Sequence, residues 1–443
     1  MSNTHNDTAM DAYWMPFTSN REFKNDPRML ATAKGMYYTT TGGDQVMDGI
    51  SGLWCCNAGH CHPHIVKAIQ EQAAELDYST AFQIGYPATF RLAERLARLA
   101  PEGIDSVFFT NSGSESVDTA LKMALGYHHA RGEGHRTRLI GRQRGYHGSG
   151  FGGTSIGGIG NNRKAVGSLL AGTLHFRDSV DLERQSFSRG QPQWGAELAD
   201  DLERVILTNH PSTIAAVIVE PFAGSAGVLL PPVGYLERLR EITRRHGILL
   251  IFDEVISAFG RLGYATAAER FGISPDIICV AKGLTSGTVP MGAVLVDNEI
   301  RRTIIDSSPS GIEFFHGYTY SGHPLATAAA HATLDVYADE GLFNRVQILE
   351  SIWEDAIHSL SEKPNVIDIR NLGLVGAIEL EPRPENPSAR AADIFKLAFD
   401  NGLLVRATAD IIALAPPLII QESEVSHLIE ILGNALDLSL IHI

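Results

Sequence analysis

Cysteine is scarce in this chain, at 4 residues in 443. That density excludes a small disulfide-stapled scaffold and leaves Cys55, Cys56, Cys61 and Cys279 as expected free thiols in a reducing, cytoplasmic setting. No run of about 18 apolar residues occurs, so no membrane-spanning helix is expected. The opening "MSNTHNDTAMDAYW" has neither a basic stretch nor an apolar one, and no secretory signal is expected from it. Positive charge is in deficit: Lys and Arg number 36 against 51 Asp and Glu, for a net charge of −15. With no basic patch beyond the short Arg136–Arg144 cluster, this argues against nucleic acid or an anionic membrane as partner. Three cysteines share "CCNAGHCHPH" with His60, His62 and His64, but the spacing matches no common zinc pattern. No second Cys/His cluster completes a site, and no metal is expected.

What is present reads as a multi-domain α/β enzyme. The length exceeds one ordinary core. The middle of the chain alternates short β-branched runs with amphipathic helices, the pattern of parallel βαβ units. Candidate strands are 107–110, 138–142, 214–220, 248–255, 277–281 and 292–296, with helices at 114–131 and 234–246 between them. The second helix ends in a cationic turn and a glycine stop, His246-Gly247. After about residue 315 the pattern changes to a smaller α/β section, with helices at 325–340, 345–360, 390–401 and 422–437 and strands in 367–380 and 403–413. The expected division is 1–85, 86–315 and 316–443. The first segment looks irregular, a wrap around the large domain or a partner subunit that contributes to the small domain and the site.

Two glycine-rich matches fail on context. Gly148–Gly153 satisfies GxGxxG, but "TSIGGIGNN" after it is not expected to open a helix, as a dinucleotide site requires. Gly153–Gly157 satisfies the GxSxG elbow of α/β hydrolases, centred on Ser155, and meets the same objection. A closely packed glycine loop is the expectation for 148–160.

Three features at strand C-termini belong together, because ligands of open α/β sheets gather at that edge. "FFTNSGSESVDTALKMA" (108–124) is a strand, a tight turn and a helix start, where Gly113 permits close approach and Ser112 or Ser114 can cap; free N–H groups there bind phosphate. "LLIFDEV" (249–255) puts Asp253 and Glu254 at the end of an apolar strand, where a carboxylate needs a cationic or N–H partner. Lys282 ends the next strand, and a buried lysine with a lowered pKa attacks carbonyls to form Schiff bases. A phosphate cradle, a carboxylate and a nucleophilic lysine suit an aldehyde bearing a pyridinium nitrogen and a phosphate, pyridoxal 5′-phosphate.

The stretches "TNSGSESVDTALKMA", "GYHG", "VIVEPFAGSAGVLLPP", "LLIFDEVISAFGRLG", "AKGLTSGTVPMGAV" and "FFHGYTYSGHPLATAAA" resemble the class III (omega) aminotransferases. "DGISGLWCCNAGH", "FSRGQP", "VIDIRNLGLVGAIEL" and "DIIALAPPLII" bring the likeness nearest the beta-alanine:pyruvate group. The resemblance runs over essentially the whole chain. It implies the pyridoxal-phosphate fold type I, with a mostly parallel seven-stranded sheet in a large domain and a smaller C-terminal α/β domain. It further implies a homodimer with shared active sites, with pairing of dimers into tetramers left open. On this likeness Lys282 bonds the cofactor, Asp253 partners its ring nitrogen, Tyr146 stacks on one ring face and Val255 on the other. Ser112, Gly113 and Ser114 hold the phosphate, Thr319 reaches the phosphate in the neighbouring subunit, and His147, Glu220 and Ile256 complete the cofactor set.

Arg406 would grip a substrate carboxylate bidentately. Phe17, Trp54, Tyr146 and Phe82, the last from the partner subunit, would line the amine pocket. Relatives that use 2-oxoglutarate carry an arginine where this chain has Ala413 in "ALAPP", so pyruvate is the expected acceptor, with beta-alanine or another omega-amino acid or primary amine as donor. Three departures stand out: Ala258 and Cys61 where glycine is usual, and a bulky Phe222 that could reshape the pocket. Alternatives are another fold type I enzyme (aminomutase, decarboxylase or 2-oxoglutarate-dependent aminotransferase), a serine hydrolase using Ser155, and a non-catalytic dimeric binding protein.

Overall fold

The computed structural model describes residues 10–309 and 311–439. Its centre is a seven-stranded sheet built from β4 (Ile104–Thr110), β5 (Arg138–Arg142), β6 (Thr173–Phe176), β7 (Ile214–Val219), β8 (Leu249–Asp253), β9 (Ile277–Val280) and β10 (Gly292–Asp297), in the order β4-β10-β9-β8-β7-β5-β6. All neighbours are parallel except β10, which runs antiparallel to β4 and β9. Every residue of β7, β8 and β9 is buried, as befits strands covered by helices on both faces. One covering helix, Tyr235–Arg245, buries Tyr235, Leu236, Leu239 and Ile242 along one stripe and stops before Gly247, whose φ of +61° is left-handed.

Residues 10–85 are not irregular. They form β1 (Leu30–Lys34), β2 (Tyr37–Thr40) and β3 (Gln45–Asp48) and the helix Pro63–Glu75. β3 pairs in parallel with β13 (Leu403–Leu404), far along the chain, so the sheet is completed by residues no local pattern reveals. The run 367–380 is a hairpin, β11 (Val366–Leu372) and β12 (Val375–Leu380), folded at Gly373 with φ +54°. The remaining strands β14 (Arg406–Thr408) and β15 (Ile411–Leu414) extend it in the order β11-β12-β15-β14. No helix among the described residues is long and apolar enough to cross a membrane.

The glycine-rich segment also departs from expectation, because residues Phe151–Ile156 are helical. Asp118, from the helix Gly113–Ala130, accepts the Gly153 N–H at 2.8 Å and so caps the turn from outside. The glycines permit this contact: a Cβ on Gly152 would stand 2.5 Å from Asp118 Oδ1, and one on Gly153 2.1 Å from the His147 carbonyl oxygen. Cys61 has φ +50°, which accounts for the glycine usual at that place.

Candidate active site

β4, β5, β7, β8 and β9 point the same way, so their C-terminal ends share one edge of the sheet. A cleft of about 730 Å³ opens there. β9 delivers Lys282 to its floor through Ala281. Lys282 itself has φ +46°, a left-handed conformation uncommon for a residue that bears a side chain. The turn that follows is pinned by Tyr337, whose hydroxyl donates to the Gly283 carbonyl at 2.6 Å. Burial pulls the Lys282 amine below the usual lysine value, against opposing pulls from Cys55, Asp253 and Glu220. A lysine in that state offers a free electron pair to a carbonyl.

Asp253 and Glu254 are neighbours on a strand end and face opposite ways. Asp253 lines the cleft and is held by His147, with Nδ1 2.8 Å from its Oδ2, and by the Val255 N–H at 3.2 Å from its Oδ1. Glu254 is turned away; its carboxyl accepts the N–H groups of Ala267 and Ala268 and the Ser257 hydroxyl, capping the helix Ala267–Phe271. Burial outweighs those donors and pushes Glu254 up to about 7. Glu220, at the end of β7, is likewise pushed up to about 7 by burial, while its Oε1 accepts the Tyr146 N–H at 2.9 Å and fixes that residue's backbone.

At the end of β4 the helix Gly113–Ala130 begins. Ser112 is the cap, its hydroxyl accepting the Glu115 N–H at 3.2 Å, while Glu115 Oε2 accepts the Asn111 N–H at 2.7 Å. The first-turn N–H groups of Gly113 and Ser114 have no intrahelical carbonyl to meet, and both residues line the cleft, an arrangement suited to an anion. A Cβ on Gly113 would lie 2.8 Å from Val255 Cγ1, so glycine is what lets helix and cleft wall touch. Ser114 Oγ accepts the Ser149 N–H at 3.0 Å, which draws the loop bearing Tyr146 and His147 against the cradle.

Tyr146, Val255, Ile256, Trp54 and Phe17 line the walls, with Phe17 edge-on to Tyr146 at a centroid distance of 6.5 Å. Arg406 enters from β14. It is exposed to the cleft mouth, yet burial by the walls still draws its guanidinium below the usual arginine value, and no carboxylate among the described residues is paired with it. The two residues expected to serve a neighbouring subunit's site lie apart from this cleft: Phe82 packs on Gly317 at the surface, and Thr319 is exposed, its carbonyl taken by the Tyr78 hydroxyl at 3.0 Å. Phe222 does not line the cleft; it is buried in a cluster that includes Trp54 and Ile256, so it acts on the walls from behind. Sequence reasoning passed over Ser225 and Thr408, which also line the cleft. Thr408 was findable, since it lies two residues beyond Arg406 on a strand and so shares its face.

The other motifs have structural employment. Ser155 is buried, its hydroxyl donating to the Phe151 carbonyl and accepting the Leu170 N–H. His60, His62 and His64 pair with three different carboxylates, Asp48, Glu340 and Asp335.

The donor set fits pyridoxal 5′-phosphate: free amides for the phosphate, Asp253 for the ring nitrogen, Tyr146 and Val255 for the two faces of the ring, and Lys282 for the aldehyde. The buried His147 Nε2 has no partner among the described residues, consistent with a site arranged around a polar guest.

Residues 18–436 match the family described as aminotransferase class-III. An omega-aminotransferase of Caulobacter vibrioides is 57% identical over 427 residues, covering 96% of this chain and 97% of that one. A beta-alanine–pyruvate aminotransferase of Pseudomonas aeruginosa is 47% identical, covering 96% and 95%. An omega-amino acid–pyruvate aminotransferase of Pseudomonas putida is 43% identical, covering 97% and 96%. Among solved structures, the omega transaminase from Pseudomonas jessenii in complex with PMP superposes with a TM-score of 0.93 at 32% identity, covering 98% of both chains. The chain belongs to the class-III aminotransferases, a pyridoxal-phosphate family, and the lysine, carboxylate and helix start that meet at one sheet edge fit that cofactor.

Proposed function

We propose that this aminotransferase moves the amino group of an omega-amino acid or primary amine, beta-alanine among them, to pyruvate, yielding L-alanine and an aldehyde or oxo acid such as malonate semialdehyde. One observation carries the acid specificity: Arg406 brings a guanidinium to the cleft, and no carboxylate among the described residues is paired with it. A guanidinium in that state binds a carboxylate bidentately. The position directly across the strand pair from Arg406 is Ala413, fully buried, so no second cation stands there for a distal carboxylate. This favours a monocarboxylate acceptor, in keeping with the pyruvate named for two of the relatives.

When bound, the cofactor supplies an electron sink that labilises the C–H bond next to the transferred nitrogen. The chain's residues do the rest. Asp253 would keep a proton on the ring nitrogen of the bound cofactor, and His147 holds that carboxylate in place. Tyr146 and Val255 hold the ring plane between them. The Lys282 amine, which burial draws toward its free-base form, would hold the aldehyde when the cofactor is bound and would accept and give back the transferred proton at its Nζ. Phe82 and Thr319, exposed together near one surface, are assigned to the site of a second copy in a homodimer.

Arg406→Ala is the test. A bidentate charge-assisted contact is worth about 1.5–3 kcal/mol, so kcat/KM for beta-alanine and for pyruvate should fall about ten- to a hundredfold. In the half-reaction with an uncharged amine, the same variant should retain parental kcat/KM. Equal loss for charged and uncharged substrates would remove the arginine from this role.

A further inference from the structure

The turn Gly224–Gly227 closes one side of the cleft with Gly224 and Ser225. It is folded on the Gly224 carbonyl, which accepts the N–H groups of Gly227 and Val228 at 3.0 and 3.2 Å. Its next three carbonyls are each held by a side chain from a different part of the chain. Thr408 of β14 donates to the Ser225 carbonyl at 3.2 Å, and Arg144, beyond β5, to that of Ala226 at 3.3 Å. Arg370 of β11 donates to the Gly227 carbonyl through both Nε, at 3.3 Å, and Nη2, at 2.9 Å. Three consecutive carbonyls held in this way form a clamp, more than a loop needs merely to satisfy its polar groups.

The Arg370 limb is the most heavily built. The side chain is 7% exposed, and its Nη1 donates to Asp368 and, at 2.6 Å, to Glu379. Asp368 and Arg370 are two apart on β11 and share a face, and Glu379 lies on the partner strand β12. The two carboxylates fix the guanidinium, so its direction toward Gly227 is set by the C-terminal sheet. That same sheet carries Arg406, on β14. On its other side the turn rests against the cofactor wall: a Cβ on Gly224 would stand 2.8 Å from Ile256 Cδ1. Gly227 packs equally tightly on β15, where a Cβ would meet Ile411 Cδ1 at 2.3 Å.

We propose that Arg370 is a positioning residue for substrate selection: through the Gly227 carbonyl it fixes the turn between the cofactor wall and the strand bearing Arg406, and thereby sets the span from carboxylate anchor to reaction centre. The inference rests on the reading of Arg406 as the carboxylate anchor. A substrate that must reach Arg406 and Lys282 at once is sensitive to that span. An amine with no carboxylate uses one end only and is indifferent to it.

Arg370→Lys removes the fork that spans Gly227 and the two acids, since an ammonium cannot reproduce three directed donors on one plane. It keeps the charge that Asp368 and Glu379 require. A misplacement of under an ångström at a reacting end costs on the order of tenfold or more. The holoenzyme should therefore lose about tenfold in kcat/KM for beta-alanine, mainly in KM, and less than about twofold for an uncharged primary amine. If the lysine variant does not fold, the charge-neutral pair Arg370→Gln with Asp368→Asn replaces it and should show the same split. Equal loss on both donors marks a merely structural arginine and overturns the proposal, as does no loss on either. Arg406→Ala run in parallel separates the two ideas. If it discriminates between donors while Arg370→Lys does not, the positioning role alone fails; if Arg406→Ala does not discriminate, the anchor fails and the positioning role falls with it.

Discussion

Adding one methyl group at Gly113 probes the cofactor site without touching any group that does chemistry. The new Cβ would stand 2.8 and 2.9 Å from Val255 Cγ1 and Cγ2. Carbon atoms rest at about 3.5–4.0 Å, so Val255 must retreat by roughly 0.7 Å. It cannot rotate freely out of the way, because its β-branch restricts χ1 and its N–H is tied to Asp253 Oδ1 at 3.2 Å. The push comes from the helix, so the retreat is into the cleft, onto the place assigned to one face of the cofactor ring.

The two effects of the methyl group have opposite signs. Alanine is a better helix former than glycine by up to about 1 kcal/mol, which favours the variant. Overpacking costs about 1–3 kcal/mol when the neighbour has nowhere to go. Without cofactor the cleft is open to Val255, the terms nearly cancel, and the thermal midpoint of Gly113→Ala should stay within a few degrees of the parent. With cofactor the ring blocks the retreat, and pyridoxal 5′-phosphate affinity should weaken about tenfold or more. Titration of cofactor-free protein, followed by cofactor absorbance and paired with thermal melts, reads both quantities. An affinity within about twofold of the parent would show that Val255 does not lie against the ring.

Two other outcomes follow from the same site. Asp253→Asn replaces the ring-nitrogen carboxylate by a neutral amide, and kcat should fall about a hundred- to a thousandfold in single-turnover assays with the cofactor still bound; near-parental turnover would refute the assignment. Glu220 is raised from 4.5 to about 7 by burial, so it is neutral in the folded chain where the unfolded chain ionises it. Its contribution to stability is whole below the unfolded value and is lost as pH rises through that window, at up to about 1.4 kcal/mol per pH unit. Glu220→Gln can keep the Tyr146 N–H bond through Oε1, and should reduce that slope without abolishing it, because Glu254 titrates in parallel. Melts of the cofactor-free protein across the acid range give the comparison, and an unaltered slope would contradict it.

Much of the site was legible because apolar strands end in residues that have no business being buried. Lys282, Asp253 and the Gly113 turn each follow a run that must lie inside a sheet, and parallel topology then requires that they meet. The rest depends on contacts between segments with no local signature. His147 meets Asp253 only because β5 and β8 flank β7. The meander at 30–48 is completed by β13, and the helix at Phe151 is capped by a carboxylate from another helix. Strand alternation alone turns Glu254 away from the face of Asp253, as the structure has it. The clamp on residues 225–227 joins three distant side chains to consecutive carbonyls, which no reading of composition or period exposes.

The central claim is that Lys282 is the amine bonded to the cofactor and the base that moves the proton. Borohydride reduction of the loaded protein, followed by peptide mass analysis, measures the first part directly: the peptide containing Lys282 should carry the added cofactor mass. In Lys282→Ala no peptide should carry it, and turnover of beta-alanine with pyruvate should fall about a thousandfold or more. A variant that still traps the cofactor covalently and turns over at the parental rate would contradict the account.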